Sequence, residues 1–237
     1  MHTESVSYDV AGTTYVGYLA RPGANARRGS VLICHEGNGL GPQVKDRANR
    51  LAELGYLSFA VDYIGGGEVL ADLPTMLAKL GKLRGDPAQV RALARAGLAQ
   101  LTAQAGVDRA HVAAIGYCFG GTFALELARD GAELAAVVAF HAGLATSSPD
   151  DARNIRGKIL ACIGAEDPLV PPEERLAFEN EMKVGKVADW RLEVHGNAVH
   201  GFANPNAGRM NNPAVQYHEP THRRTWAAML ALFDEAL

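Results

Sequence analysis

Between the apolar run Val112-Ala113-Ala114-Ile115 and a helical pattern from Phe119 to Arg129 stands Gly116-Tyr117-Cys118-Phe119-Gly120. Gly-x-Cys-x-Gly at such a junction commits the chain to a sharp strand-to-helix turn, a nucleophile elbow. Its central residue is strained, and its neighbours must be small to avoid a clash. A helix beginning at Phe119 aims its free N–H groups and positive dipole end at the sulfur, which favours thiolate. In this setting Cys118 reads as a nucleophile. The competing reading is a buried structural cysteine beside a tight turn.

Strand and helix patterns alternate on both sides of the elbow. Ser5–Val10 and Tyr15–Ala20 read as an antiparallel hairpin turning near Ala11-Gly12. Ser30–His35 and Leu57–Asp62 are near-continuous apolar runs, as strands buried on both faces should be. Val44–Leu54 lies between them as an amphipathic helix ended by Gly55, and a longer helix is predicted from Pro87 to about Gln104. Ala135–Phe140, Lys158–Ile163 and Trp190–His195 complete the strands, with helices over Glu173–Met182 and Thr221–Leu237. Strands separated by helices imply parallel crossovers. The expected fold is therefore α/β, a mostly parallel doubly wound sheet of about eight strands with helices on both faces. No linker interrupts the series, so residues 1–237 read as one domain. The segment Gly65–Gly85, glycine-rich and then helical, is placed to form a cap or pocket wall.

Composition narrows the class. A 48% hydrophobic and 21% charged chain of 237 residues supports a large core with an ordinary surface. Its net charge of −3 argues against nucleic acid as a partner and against a polybasic membrane patch. No apolar signal region or spanning segment is visible, which points to the cytoplasm. Cys34, Cys118 and Cys162 lack metal-site spacing, and Cys34 and Cys162 sit in strand-like runs as inert core residues. His195 and His200 lie five apart without a third ligand at suitable spacing, so no metal is expected. No Gly-x-Gly-x-x-Gly opens a helix, so no nucleotide cofactor is expected either.

In a doubly wound sheet the chemistry belongs at the carboxyl ends of the strands. The strands run out, in chain order, into His35-Glu36-Gly37, then Cys118, then Ala165-Glu166-Asp167-Pro168, then a loop reaching His200-Gly201-Phe202. Nucleophile, acid and histidine thus appear in the order Cys118, Asp167, His200. His200 would take the thiol proton and later activate water, while Asp167 fixes its tautomer. Asp167 could instead only cap the next helix, leaving Glu166 as the acid. An oxyanion would be received by the N–H of Phe119 and by one from the loop after Ser30–Cys34, for which Gly37 is the natural choice. Tyr63, Tyr117, Phe119, His141 and Phe202 are candidates to line a pocket, or equally to be core.

These motifs resemble the dienelactone hydrolases, a cysteine branch of the α/β-hydrolases. The resemblance covers almost the whole chain and rests on His35-Glu36-Gly37-x-Gly39, Asp62-Tyr63, the elbow, Gly164-Ala165-Glu166-Asp167-Pro168 and Val199-His200-Gly201-Phe202. It implies an α/β-hydrolase fold, and hydrolysis of a small-molecule ester or lactone through an acyl-cysteine. It also implies that Glu36 pairs with the resting cysteine and joins in its activation. A carboxylate beside a thiol disfavours thiolate, which makes that role physically reasonable. Dienelactone-cleaving members hold the substrate carboxylate with arginines. Asn204 stands near one of those positions here, and Arg84 is the candidate for the other. A monomer or small homo-oligomer is expected. Two other readings stay open: a cysteine-elbow enzyme of the amidotransferase kind, and a hydrolase fold retired into binding. The intact Cys118, Asp167 and His200 set argues against the second.

Overall fold

A computed structural model describes residues 1–23 and 28–237. Its frame is an eight-stranded sheet in the order β1-β2-β4-β3-β5-β6-β7-β8. Strands β1 (His2–Val10) and β2 (Thr13–Arg21) form the antiparallel hairpin. Ala11 and Gly12 take the two left-handed positions of its turn, with φ of 48° and 79°. Strand β2 also pairs antiparallel with β4 (Leu57–Val61), and from β4 onward every pairing is parallel, through β3 (Ser30–Cys34), β5 (Val112–Tyr117), β6 (Ala136–Phe140), β7 (Lys158–Gly164) and β8 (Trp190–His195). All residues of β3, β5 and β6 are buried, which is why their sequences run apolar without alternation.

Helices cover both faces. On one side α1 (Pro42–Glu53) and α6 (Glu219–Ala236) close a core of Val44, Leu51, Tyr56, Met229 and Phe233. The other side is covered by α2 (Leu73–Arg84), α3 (Pro87–Thr102), α4 (Phe119–Arg129) and α5 (Pro172–Val184). Helix α1 starts two residues earlier than its apolar pattern suggests, because Pro42 serves as its first turn. The glycine-rich segment after β4 leads into α2, capped by the Asp72 carboxylate on the Thr75 N–H at 2.8 Å.

Two features of this frame set the site. First, the strand order reverses between β3 and β5, which are parallel neighbours in the sheet though α1, β4, α2 and α3 separate them in sequence. The crevice outside their carboxyl ends is the switch point where such sheets take ligands. Second, Asp62 at the end of β4 gathers four backbone N–H groups, those of Val16, Ile64, Gly65 and Gly67, at 2.8 to 3.0 Å. That carboxylate ties the glycine turn to the hairpin, so Asp62 acts as a structural knot.

Candidate active site

The elbow forms because two glycines allow backbones to nearly touch. A Cβ on Gly116 would come within 2.0 Å of the Gly120 carbonyl oxygen, and one on Gly120 within 2.3 Å of the Cys34 and His35 oxygens. Helix α4 can therefore start directly against β3 and β5. Cys118 is its N-cap, with φ 54° and ψ −125°, a conformation costly to a residue with a side chain. The half-buried sulfur faces a cavity of about 460 Å³ whose wall includes Cys118, Phe119, Thr122, Leu83, Arg84 and His200.

The loop after β8 brings back His200, and the turn after β7 brings Asp167; both side chains are buried. Nδ1 of His200 donates to Oδ2 of Asp167 at 2.9 Å, while Oδ1 of that carboxylate accepts the Leu169 N–H at 2.8 Å. Glu166 turns away and accepts the Asn197 N–H at 3.1 Å. Nε2 of His200 has no hydrogen bond of regular geometry, yet the Cys118 sulfur is near enough to act on it. Burial opposes a charge on His200, but Cys118 and then Asp167 outweigh it, and its pKa is pushed up to about 10. Burial pushes the thiols of Cys34 and Cys162 well up.

Glu36 lies at the crevice but not on the cysteine. Its Oε2 accepts the Asn204 amide at 2.6 Å, and its Oε1 is 4.0 Å from Nε2 of His141. Among the described residues no hydrogen bond joins Glu36 to Cys118, so the resting pair implied by the resemblance is replaced by a Glu36–Asn204 pair. Burial raises the Glu36 carboxyl, against the Asn204 hydrogen bond and the charges of His200 and Arg47. Gly37 follows in the same buried loop, pressed against Leu80 of α2, whose methyl a Cβ would meet at 2.5 Å.

The expected pocket residues separate into two groups. Arg84 and Phe119 line the cavity, with the guanidinium 5.5 Å above the Phe119 ring. Tyr63, Tyr117 and Phe202 are instead core. Tyr63 is sandwiched between His35 and Phe123, Tyr117 stacks on Phe140 on the far face of the sheet, and Phe202 is fully buried. Aromatic rings beside the elbow fill the space that backbone crowding leaves. Asn204 holds Glu36, and His141 is fully buried behind the elbow.

Some residues at the site belong to no motif in the sequence. Glu174 of α5 reaches the cavity wall and accepts the Leu144 and Ala145 N–H groups at 2.5 and 3.2 Å. Thr122, one turn beyond Cys118, donates to the Gly143 carbonyl at 2.8 Å, and its i+4 position could have marked it. Arg47 is buried on the apolar stripe of α1, donates to the Ala203 carbonyl at 3.0 Å, and is a charge felt by Glu36. A charged residue in that stripe was the available signal.

Comparison with known proteins assigns the chain to a family. The family model described as dienelactone hydrolase family matches residues 16–237. A Bradyrhizobium sp. protein named "Probable 2-oxo-3-(5-oxofuran-2-ylidene)propanoate lactonase" is 26% identical over 217 residues, covering 85% of this chain and 86% of its own. The solved structure of P91, a dienelactone hydrolase-like promiscuous phosphotriesterase from metagenomic libraries, superposes with a TM-score of 0.93 at 39% identity, over 99% of this chain and 98% of that one. A structure named "m3DLH" gives 0.95 at 43% identity, over 100% and 98%.

Proposed function

The chain belongs to the dienelactone hydrolase family, a group of hydrolases acting on ester or lactone bonds, and we propose that it works through an acyl-cysteine on Cys118. The observation that carries this reading is the His200–Asp167 hydrogen bond of 2.9 Å beside a strained Cys118 that opens on the same cavity as His200. His200, which opens on the same cavity as Cys118 and is held by Asp167, takes the thiol proton, and the thiolate attacks the substrate carbonyl. The N–H groups of Phe119 and Gly37 receive the oxyanion, a donor pair whose individual members typically contribute about 3 kcal/mol. His200 then passes its proton to the departing alkoxide, which in a lactone stays attached to the acyl group. Water, deprotonated by His200, releases the acid and restores the thiol.

Asp167 keeps Nδ1 of His200 protonated, so that Nε2 is the nitrogen that exchanges protons. Arg84 at the cavity mouth offers a cation for an acidic group on the substrate, and Asn204 serves Glu36 rather than the substrate. Thioesters and activated esters suit acyl-cysteine chemistry better than amides, so peptidase activity should be negligible. No helix among the described residues is long and apolar enough to cross a membrane, and the three free cysteines fit a reducing cytoplasm.

Burst kinetics with an activated aryl ester, with mass spectrometry of the quenched enzyme, tests the reading. A Cys118-bound acyl adduct that Cys118→Ala abolishes is expected. Turnover that survives Cys118→Ala, or no adduct and no turnover across esters and lactones, would overturn it. The likeness to the phosphotriesterase P91 supports including an aryl phosphotriester in the same screen.

A further inference from the structure

Away from the cavity, three potential metal ligands from two neighbouring strands converge. Cys162 of β7 pairs in register with Glu193 of β8, and His195 stands two residues on, so all three side chains share one face of the sheet. Cys162 Sγ, a Glu193 carboxylate oxygen and a His195 ring nitrogen lie within 4.8 Å of one another. His195 Nε2 is 3.4 Å from the Glu193 oxygen, is itself buried, and has no hydrogen-bond partner among the described residues. In the sequence alone Cys162 reads as inert core and His195 lacks a third ligand. The missing ligands come from across the β7–β8 ladder, a relation that linear spacing does not encode.

We propose that Cys162, Glu193 and His195 form a zinc site. The donor set of thiolate, carboxylate and imidazole is the borderline-soft combination that zinc takes, with bonds of about 2.0–2.3 Å. Donors this close need only small side-chain adjustments on a rigid ladder. Binding breaks the Cys162 S–H bond, forms a Zn–S bond and releases one proton to solvent. Thiolate and carboxylate together neutralise the dication. Glu193 is partly exposed, which gives the ion an entry path and leaves the fourth position to water. The site lies at the root of the loop that leads from His195 to His200. A bound ion would therefore anchor that loop without touching the cavity.

The test is cobalt(II) titration of the reduced full-length protein, reading the thiolate-to-cobalt charge-transfer band, with zinc competition against a chromophoric chelator. Cys118→Ser is run in parallel to remove the thiol that opens on the cavity. The band and one equivalent of tight binding should persist in Cys118→Ser. They should be lost in Cys162→Ala, and zinc affinity should fall about tenfold or more in His195→Gln. His195→Gln lies at a partly exposed position and keeps the test decisive if Cys162→Ala does not fold. A wild-type protein without the band, or a band lost in Cys118→Ser and kept in His195→Gln, would overturn the site. Neither result bears on the ester chemistry, which the acyl adduct tests separately.

Discussion

The backbone N–H of Cys118 is shared between the Phe140 carbonyl at 3.0 Å and Nδ1 of His141 at 3.2 Å. Since Nδ1 accepts, the proton of neutral His141 sits on Nε2, toward Glu36. Burial first, and the charge on His200 next, hold His141 well below the ordinary imidazole range. His141 itself is held at φ 40°, its ring edge-on to that of His200. It is a positioning residue for the elbow. His141→Phe should lower kcat on the order of tenfold with KM little changed, and shift the pH dependence of Cys118 alkylation. His141→Asn, which keeps an acceptor, should recover part of the loss. An unmoved alkylation profile in His141→Phe would argue that the residue only fills space.

The Glu36–Asn204 pair gives a second prediction. Asn204→Leu keeps the volume but removes the donor to the Glu36 carboxylate and the acceptor for the Asn206 N–H. A stability loss of about 1–3 kcal/mol is expected by chemical denaturation. Without that donor the charged form of Glu36 is less favoured and its pKa rises further, so the acid limb of kcat/KM should move to higher pH. Glu36→Gln in the same background should cancel the shift.

Stability should peak near neutral pH, for two reasons of opposite sign. His35 and His222 are held at about 4 by burial foremost, and His141 is also depressed. Unfolding lets these groups bind protons, so stability falls as pH drops below about 6.5 toward 4, by up to about 1.4 kcal/mol per pH unit for each histidine. Glu36, raised by burial, works against this slope and makes it shallower. His200 is the reverse case: its contribution is complete below about 6.5 and is lost as pH rises toward 10. Thermal melts across pH 4–10 check both limbs, and Cys118→Ala should flatten the alkaline one.

The wall of the cavity depends on a buried guanidinium. Arg129 makes paired bonds to both Glu181 oxygens at 2.8 Å, one to Glu126 at 3.0 Å and one to the Leu144 carbonyl at 2.8 Å. Arg129→Met would strand Glu181 and leave Glu126 to Arg91 alone, and should cost about 3–5 kcal/mol in urea unfolding. Arg129→Lys should rescue little, because an ammonium cannot reproduce the planar fork.

Much of the fold was legible because its signals are local. The elbow, the apolar runs and the caps are each written in a few consecutive residues, and the strand-end rule then carried Asp167 and His200 to the same edge. What was not legible depends on cross-strand partners. Tyr63, Tyr117 and Phe202 sit beside motif residues in sequence, but the pleat and local packing turn them into the core. Asn204 has the sequence position of a substrate ligand, yet the loop after β8 sets it 2.6 Å from Glu36. Asp62 was visible as a motif, but its four N–H partners come from the hairpin and from the turn just beyond it.

Glu36 and Asn204 are separated by 168 residues in the chain, and Cys118 lies between them. A chain emerging from the ribosome therefore carries its thiol long before it has His200, Asp167 or a closed wall. Until β8 and the loop beyond it join the sheet, His200 is not at that thiol. On the proposed acyl-cysteine mechanism, recovery of turnover during refolding times the last strand to dock, and a truncated or stalled chain holds Cys118 without the partners that mechanism requires.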